Sequence, residues 1–365
     1  MKMAFKAGCF AITTLALCSG AAFAADVPAG YPANYADIIK AAEEEGKVVV
    51  FSPTEEGQIQ PLLKAFSEAY PKIRIEWNDI SVTTAFNRVI SEAAAGQTTS
   101  DFVWGNAMDL QLKLVSMGNA EEYVSPEVAN LPDWAKYQDS AWSTTVEPAV
   151  LIYNKGLMPV EKLPTTHAEL LDGLQKNKAE WTGKVATFDP EKSGAGFLWM
   201  RNNDELDPQF WELVKAFGAA DGKVYSSSGQ FREKVLSGEL LFAFDMNGAY
   251  AQEWVKGSSN LGLAFFKDYT QTQSRVAILT KNGPHPNAAK LLLDFMLSKK
   301  GQEAASQSGL PSVRSDIEDI QNIETLNEQA NGNLKPLPLN EALLEKLEPK
   351  SRVQFLAQWK KALRN

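Results

Sequence analysis

Lys47 to Phe51 is a short, β-branched apolar run. The polar break Ser52-Pro53-Thr54-Glu55 follows, then apolar positions at Ile59, Leu62, Leu63 and Phe66. A continuous run followed by three-to-four spacing predicts a buried strand and then an amphipathic helix. Ser52, Pro53 and Glu55 read as a capping box, and Tyr70-Pro71 as the stop. The alternation Ile73, Ile75, Trp77 predicts a second strand, and Thr84 opens a helix carrying Phe86, Val89, Ile90 and Ala93 that ends at Gly96. Asp101 to Trp104 predicts a third strand. Asn106 and Asp109 then start a helix through Leu110, Leu112, Leu114 and Val115 that ends at Gly118. Strand followed by helix, three times over, argues a parallel sheet covered by helices.

The stretch Thr144 to Tyr153 holds an apolar run, Val146 to Ile152, broken by Glu147-Pro148, and predicts an extended crossover. A second series follows it. Helices are expected at Thr166 to Leu174, from Ser193-Gly194, at Phe210 to Phe217 and at Gly229 to Leu236. Strands are expected at Lys184 to Phe188, Lys223 to Tyr225 and Leu240 to Phe244. Arg275 to Thr280 predicts a strand returning to the first unit, and Asn287 to Leu297 and Asn340 to Leu363 repeat apolar residues at helical spacing. The fold class expected is α/β, with two parallel-sheet lobes joined by crossover strands.

Composition agrees with two cores. Of 365 residues, 44% are hydrophobic and 22% charged, and single cores stop growing at roughly 250 to 300 residues. The formal charge of −9 disfavours phosphate backbones, so no nucleic-acid partner is expected. Lys2 and Lys6 before the apolar stretch Ala7 to Leu17, closed by Ala22-Phe23-Ala24, have the layout of a secretory signal cleaved after Ala24. Cleavage removes two lysines, no acids and both cysteines, Cys9 and Cys18, which leaves a charge of −11 and no thiol. An exported chain without cysteine suits the bacterial periplasm.

Catalytic signatures are scarce. The chain has two histidines, His167 and His285, neither with a partner four residues away, and no Gly-x-Ser-x-Gly elbow, phosphate loop or full dinucleotide fingerprint. No enzyme, cofactor or metal site is expected. The informative positions are the loops after strands, where parallel α/β sheets hold ligands at helix N-termini. These loops carry Ser52, Thr54, Thr83, Asn106, Thr144, Ser193, Gly194, Ala195 and Asn247, residues that serve equally as helix caps. Trp104 and Tyr250 are candidate pocket aromatics. Asp245 and Arg275 are candidate charged contacts, for ligand or for each other, with the Arg275 fork suited to a carboxylate or phosphate.

Several stretches resemble the periplasmic solute-binding proteins of ABC importers, in the extracellular family 1 branch of ferric-iron, thiamine, phosphonate and sugar-phosphate binders. They are Lys47-Val48-Val49-Val50-Phe51-Ser52, Ser100-Asp101-Phe102-Val103-Trp104, Val150 to Lys155, Leu163-Pro164-Thr165-Thr166, Pro286 to Lys290, Ser298 to Gln302 and Gly309-Leu310-Pro311. The resemblance implies a type II two-lobed fold that closes over one solute and delivers it to an inner-membrane permease, without catalysis. It places the lobes at 25–145 with 272–312 and at 146–271, with a helical segment, 313–365, packing on them. The ferric branch has two adjacent tyrosines near Asn247-Gly248-Ala249-Tyr250, and this chain keeps Tyr250 alone. A small organic anion bearing phosphate or phosphonate is therefore the expected ligand of a monomeric protein. A ferric-iron binder, a sensory ligand-presenting adaptor and, more remotely, a secreted hydrolase are the alternatives.

Overall fold

The structure, a computed structural model, describes residues 27–364; the expected signal segment and its cleavage point lie outside them. Strands β1 (Lys47–Ser52), β2 (Arg74–Asp79) and β3 (Phe102–Gly105) pair in parallel, with β1 in the middle. β4 (Lys136–Tyr137) and β5 (Ala141–Ser143) form a hairpin at the far edge. The chain then leaves this sheet along β6 (Glu147–Asn154). β7 (Val185–Phe188), β8 (Lys223–Tyr225), β9 (Phe242–Asn247), β10 (Leu261–Ala264) and β11 (Thr270–Gln273) build a second sheet around β6. β12 (Val276–Leu279) returns to the first sheet, antiparallel between β3 and β5, and β13 (Leu334–Pro336) closes the second sheet beside β11.

Each sheet is covered by helices and has its own core. In the first, Val48, Val50, Phe102 and Trp104 pack with Leu291 and Leu292 of the helix Pro286–Leu297. In the second, Ile152, Ala186 and Met246 pack with Phe197, Phe210, Phe355 and Trp359. The resulting architecture is the two-lobed α/β fold expected from the chain's periodicity.

Local chemistry departs from expectation at Ser52. Its hydroxyl accepts from the Thr54 N–H at 3.1 Å, a turn contact two residues on. The capping box does not form, because a 3₁₀ turn, Glu56–Ile59, precedes the helix Gln60–Ala69. The helical tail is broken into Glu341–Leu347 and Pro349–Arg364. The first packs on the first lobe, where Leu343 meets Leu112 and Leu114, and the second on the second lobe. Among the described residues, no helix is long and apolar enough to cross a membrane.

Candidate functional site

Two extended segments join the sheets, and they run side by side. Gln273 of β11 opposes Glu147 of β6 on one side, and Val276 of β12 opposes Ser143 of β5 on the other. Between these pairs the Thr144 N–H and hydroxyl both donate to the Arg275 carbonyl at 2.9 Å, and the Arg275 N–H donates to the Thr145 hydroxyl at 2.8 Å. The joint is thus a short two-chain ribbon with every one of these backbone groups paired.

The Arg275 side chain, 1% exposed, lies within this joint. Its Nε donates to Glu147 Oε1 at 2.9 Å, its Nη1 donates to the Thr54 hydroxyl, and its Nη2 reaches the Tyr250 hydroxyl at 3.4 Å. The guanidinium also lies 5.4 Å from the Trp104 ring centroid and 5.7 Å from that of Tyr250. Burial is the largest influence and opposes its charge, but the Glu147 carboxylate and the Tyr250 hydroxyl together outweigh it and move the guanidinium pKa up. Thr54 follows β1 of the first lobe and Tyr250 lies on the helix Gly248–Lys256 after β9 of the second, so one side chain touches both lobes.

Glu147 itself is fully buried and accepts from three donors: Arg275, the Thr145 hydroxyl at 2.8 Å and Asn247 Nδ2 at 2.7 Å. Its position breaks an apolar run, and that break was its only trace in the sequence. Asn247 Oδ1 accepts from the Ala249 N–H at 2.9 Å, so this residue caps its helix with one end and holds Glu147 with the other. Trp104 donates its indole N–H to the Thr144 hydroxyl at 2.7 Å, which fixes the ring beside Arg275.

A helix N-terminus borders the same joint. Ser193 caps the helix Gly194–Leu206, its hydroxyl accepting from the Gly196 N–H at 3.0 Å. A Cβ at Gly196 would meet that of Phe188 at 2.5 Å, so close helix-to-strand packing requires glycine there. Gly194 is exposed with open space around it. Gln273 Nε2 donates to the Ala195 carbonyl at 3.0 Å, which ties this terminus to the strand that leads into Arg275. Gln273 Oε1, Ser274 Oγ and Ser143 Oγ are buried here without a hydrogen-bond partner among the described residues. Gln273 and Ser274 escaped the sequence reading because a polar strand end carries no periodic signal.

The other candidates lie apart from this joint. Asp245, buried and at φ 57°, accepts from Asn203 at 2.9 Å, and burial raises its pKa. Its partner is therefore Asn203 and that of Arg275 is Glu147; the two do not pair with each other. Thr83 is exposed in the first turn of the helix Val82–Ala94, and Asn106 is half-buried after β3.

A cavity of about 320 Å³ separates the lobes. Pro53, Glu55 and Ser308 line it from the first lobe, and Tyr250, Glu253 and Trp254 from the second. The rings of Tyr250 and Trp254 lie nearly parallel, 6.2 Å apart. Arg275 stands one hydrogen bond behind this wall, through Tyr250. Among the described residues no group of three or more His, Cys, Asp or Glu side chains is placed to hold a metal ion.

Residues 61–331 match the model of a family described as bacterial extracellular solute-binding protein. Among solved structures, the substrate-binding protein of an ABC transporter from Agrobacterium tumefaciens is 33% identical, with a TM-score of 0.80 over 87% of this chain and 94% of that one. Iron-bound HitA from Pseudomonas aeruginosa superposes with a TM-score of 0.69 at 20% identity, over 87% and 99% of the two chains. AfuA from Actinobacillus pleuropneumoniae, with fructose-6-phosphate bound, gives 0.63 at 18% identity, over 88% and 99%. No protein with curated annotation matches the chain.

Proposed function

Because the chain belongs to the bacterial extracellular solute-binding proteins, we propose that it is the periplasmic component of an ABC importer that captures one small organic anion between its lobes and delivers it to a permease. The lobes are read as 25–145 with 272–312 and 146–271, with 313–365 lying against both. The observation that carries the reading is Arg275. A buried cation on the joint that bonds to Thr54 of one lobe and Tyr250 of the other is placed to couple anion binding to closure. The N-terminus at Ser193-Gly194-Ala195 supplies a second, backbone-based anion site tied to the same strand through Gln273. A phosphate ester or phosphonate suits that N-terminus, with Arg275 acting through Tyr250 and Thr54 rather than by contact. Fructose-6-phosphate, bound by AfuA, belongs to that class.

Glu55, which lines the same cavity as Tyr250 and Trp254, favours a further feature, an ammonium group at the other end of the solute, while Glu253 is already paired with Lys256 at 2.6 Å. Ferric iron fits less well. It prefers hard phenolate and carboxylate oxygens, and this chain brings one phenol, Tyr250, to the joint. Calorimetric titration with phosphate esters and phosphonates, each with and without an amino group, tests the reading. One site per chain, no release of inorganic phosphate and tighter binding of the amino compounds support it. Saturation by ferric ion with no response to any anion overturns it.

A further inference from the structure

A cavity of about 560 Å³ lies in the first lobe and shares no lining residue with the interlobe cavity. The segment 28–31, the helices Tyr35–Glu45, Gln60–Ala69 and Pro286–Leu297, and the start of the helix Lys299–Ser306 surround it. Its volume falls within the roughly 300 to 1,000 Å³ of small-molecule sites.

Two chemistries meet in its wall. The first is aromatic: Tyr31 stands edge-on to Tyr35 with centroids 4.6 Å apart, and Tyr70 stands edge-on to Phe295 at 6.2 Å. The hydroxyls of Tyr31 and Tyr35 are engaged by Glu127 at 2.6 Å and Asp294 at 2.7 Å. That of Tyr70 is not. The residue is 6% exposed, its hydroxyl has no hydrogen-bond partner among the described residues, and it lines the cavity. Burial, with the Asp294 charge nearby, pushes its pKa up to about 12, so it remains a proton donor at neutral pH.

The second chemistry is cationic. Ser298 caps the helix Lys299–Ser306, accepting from the Gly301 N–H at 3.2 Å, and the first backbone N–H groups have no partner within the helix. Lys299 is paired with Asp316 at 3.2 Å, whereas Lys300 is exposed and has no carboxylate within 4.0 Å among the described residues. Lys300 and the helix N-terminus put positive charge at this edge, and the Glu127 carboxylate in the same wall is neutralised by its ion pair with Arg314.

We infer that this cavity is a second ligand site, separate from the interlobe cleft, that takes a small aromatic carboxylate with its ring among Tyr31, Tyr70 and Phe295 and its carboxylate toward Lys300 and the helix N-terminus. Benzoate is the probe, titrated into the full mature protein by calorimetry. Tyr70→Phe keeps the ring and Lys300→Glu changes an exposed side chain, so both variants fold. Each weakens benzoate binding about tenfold, the effect of one lost charge-assisted hydrogen bond or its reversal. Benzyl alcohol, with the same ring and no charge, binds at least about tenfold more weakly for the same reason. Gly194→Asp, at the helix N-terminus beside the joint, leaves benzoate binding unchanged. The inference is overturned if millimolar benzoate gives no binding, if Tyr70→Phe and Lys300→Glu bind it as wild type does, or if Gly194→Asp abolishes it. The last result would move benzoate to the anion site proposed for solute capture; the others leave that reading untouched.

Discussion

Arg275 and Glu147 meet at 2.9 Å across the two segments that join the lobes, and both are essentially removed from solvent. Glu147 starts the outward strand and Arg275 precedes the returning one, so this ion pair clamps the joint between the lobes. Taking away one member leaves the other charge buried. Arg275→Ala is expected to destabilise the protein by about 3–5 kcal/mol, more than an exposed pair would cost. Urea unfolding of Arg275→Ala, Glu147→Ala and the double variant measures it. The double variant should lose less than the sum of the two single variants.

Gly194→Asp places a fixed negative charge at the N-terminus of the helix Gly194–Leu206, in a position where a Cβ meets nothing within 4 Å. Stability should change by no more than about 0.5 kcal/mol, as at other surface sites. Affinity for the anionic solute should fall at least about a hundredfold, from loss of the N–H site together with charge repulsion. If calorimetry finds wild-type affinity in the folded variant, the anion is held elsewhere.

Asp109 is 5% exposed and accepts one N–H, from Leu110 at 2.9 Å; burial pushes its pKa up to about 6 from the ordinary 3.8. Asp294 is also pushed up to about 6 by burial, although Ser125, Tyr123 and Tyr35 all donate to it. The native state therefore holds these two protons more tightly than the unfolded chain. Stability falls as pH rises from about 4 to about 6, and the ionised form of each group costs about 3 kcal/mol above that window. Asp109→Asn removes one of the two groups. Stability near pH 7.5 should rise by roughly 1–3 kcal/mol, and the slope between pH 4 and 6 should become shallower, the rest of it coming from Asp294 and from Asp245, which burial also raises. An unchanged slope would show that Asp109 titrates normally.

Lys346 is 3% exposed on the helix Glu341–Leu347, which packs on the first lobe, and donates at 2.6 Å to Glu205 on the helix Gly194–Leu206 of the second. The C-terminal helix pair therefore crosses from one lobe to the other. Leu343→Ala, at a fully buried position, is expected to cost about 2–5 kcal/mol. Hydrogen exchange should show the lost protection concentrated at 341–364, while both sheets stay protected.

The order of strands and helices was legible because apolar periodicity changes sharply from strand to helix at Ser52, Thr166 and Ser193. Thr166 and Ser193 cap their helices as their neighbours predict, with side chains accepting from the N–H of Glu169 and Gly196. β11, the segment Thr270-Gln271-Thr272-Gln273, was not legible. It is buried at all four positions yet wholly polar, and its side chains serve the joint and the second lobe rather than an apolar core. β13 was hidden for a related reason, since three residues ending in proline give no alternation to read. Hydroxyl and amide residues near the joint were visible as a type. That Asn247 and Thr144 would be engaged by Glu147 and Trp104 depends on contacts between residues 40 or more positions apart.

The central claim, that this chain captures one solute between its lobes, is tested most directly by native mass spectrometry of the exported protein. It is incubated with a mixture of phosphate esters and phosphonates, alongside Gly194→Asp treated in the same way. A single adduct per wild-type chain, with the mass of one intact solute and absent from the variant, is the result expected. Equal adducts on both proteins, or none on either with every compound at saturating concentration, would contradict it.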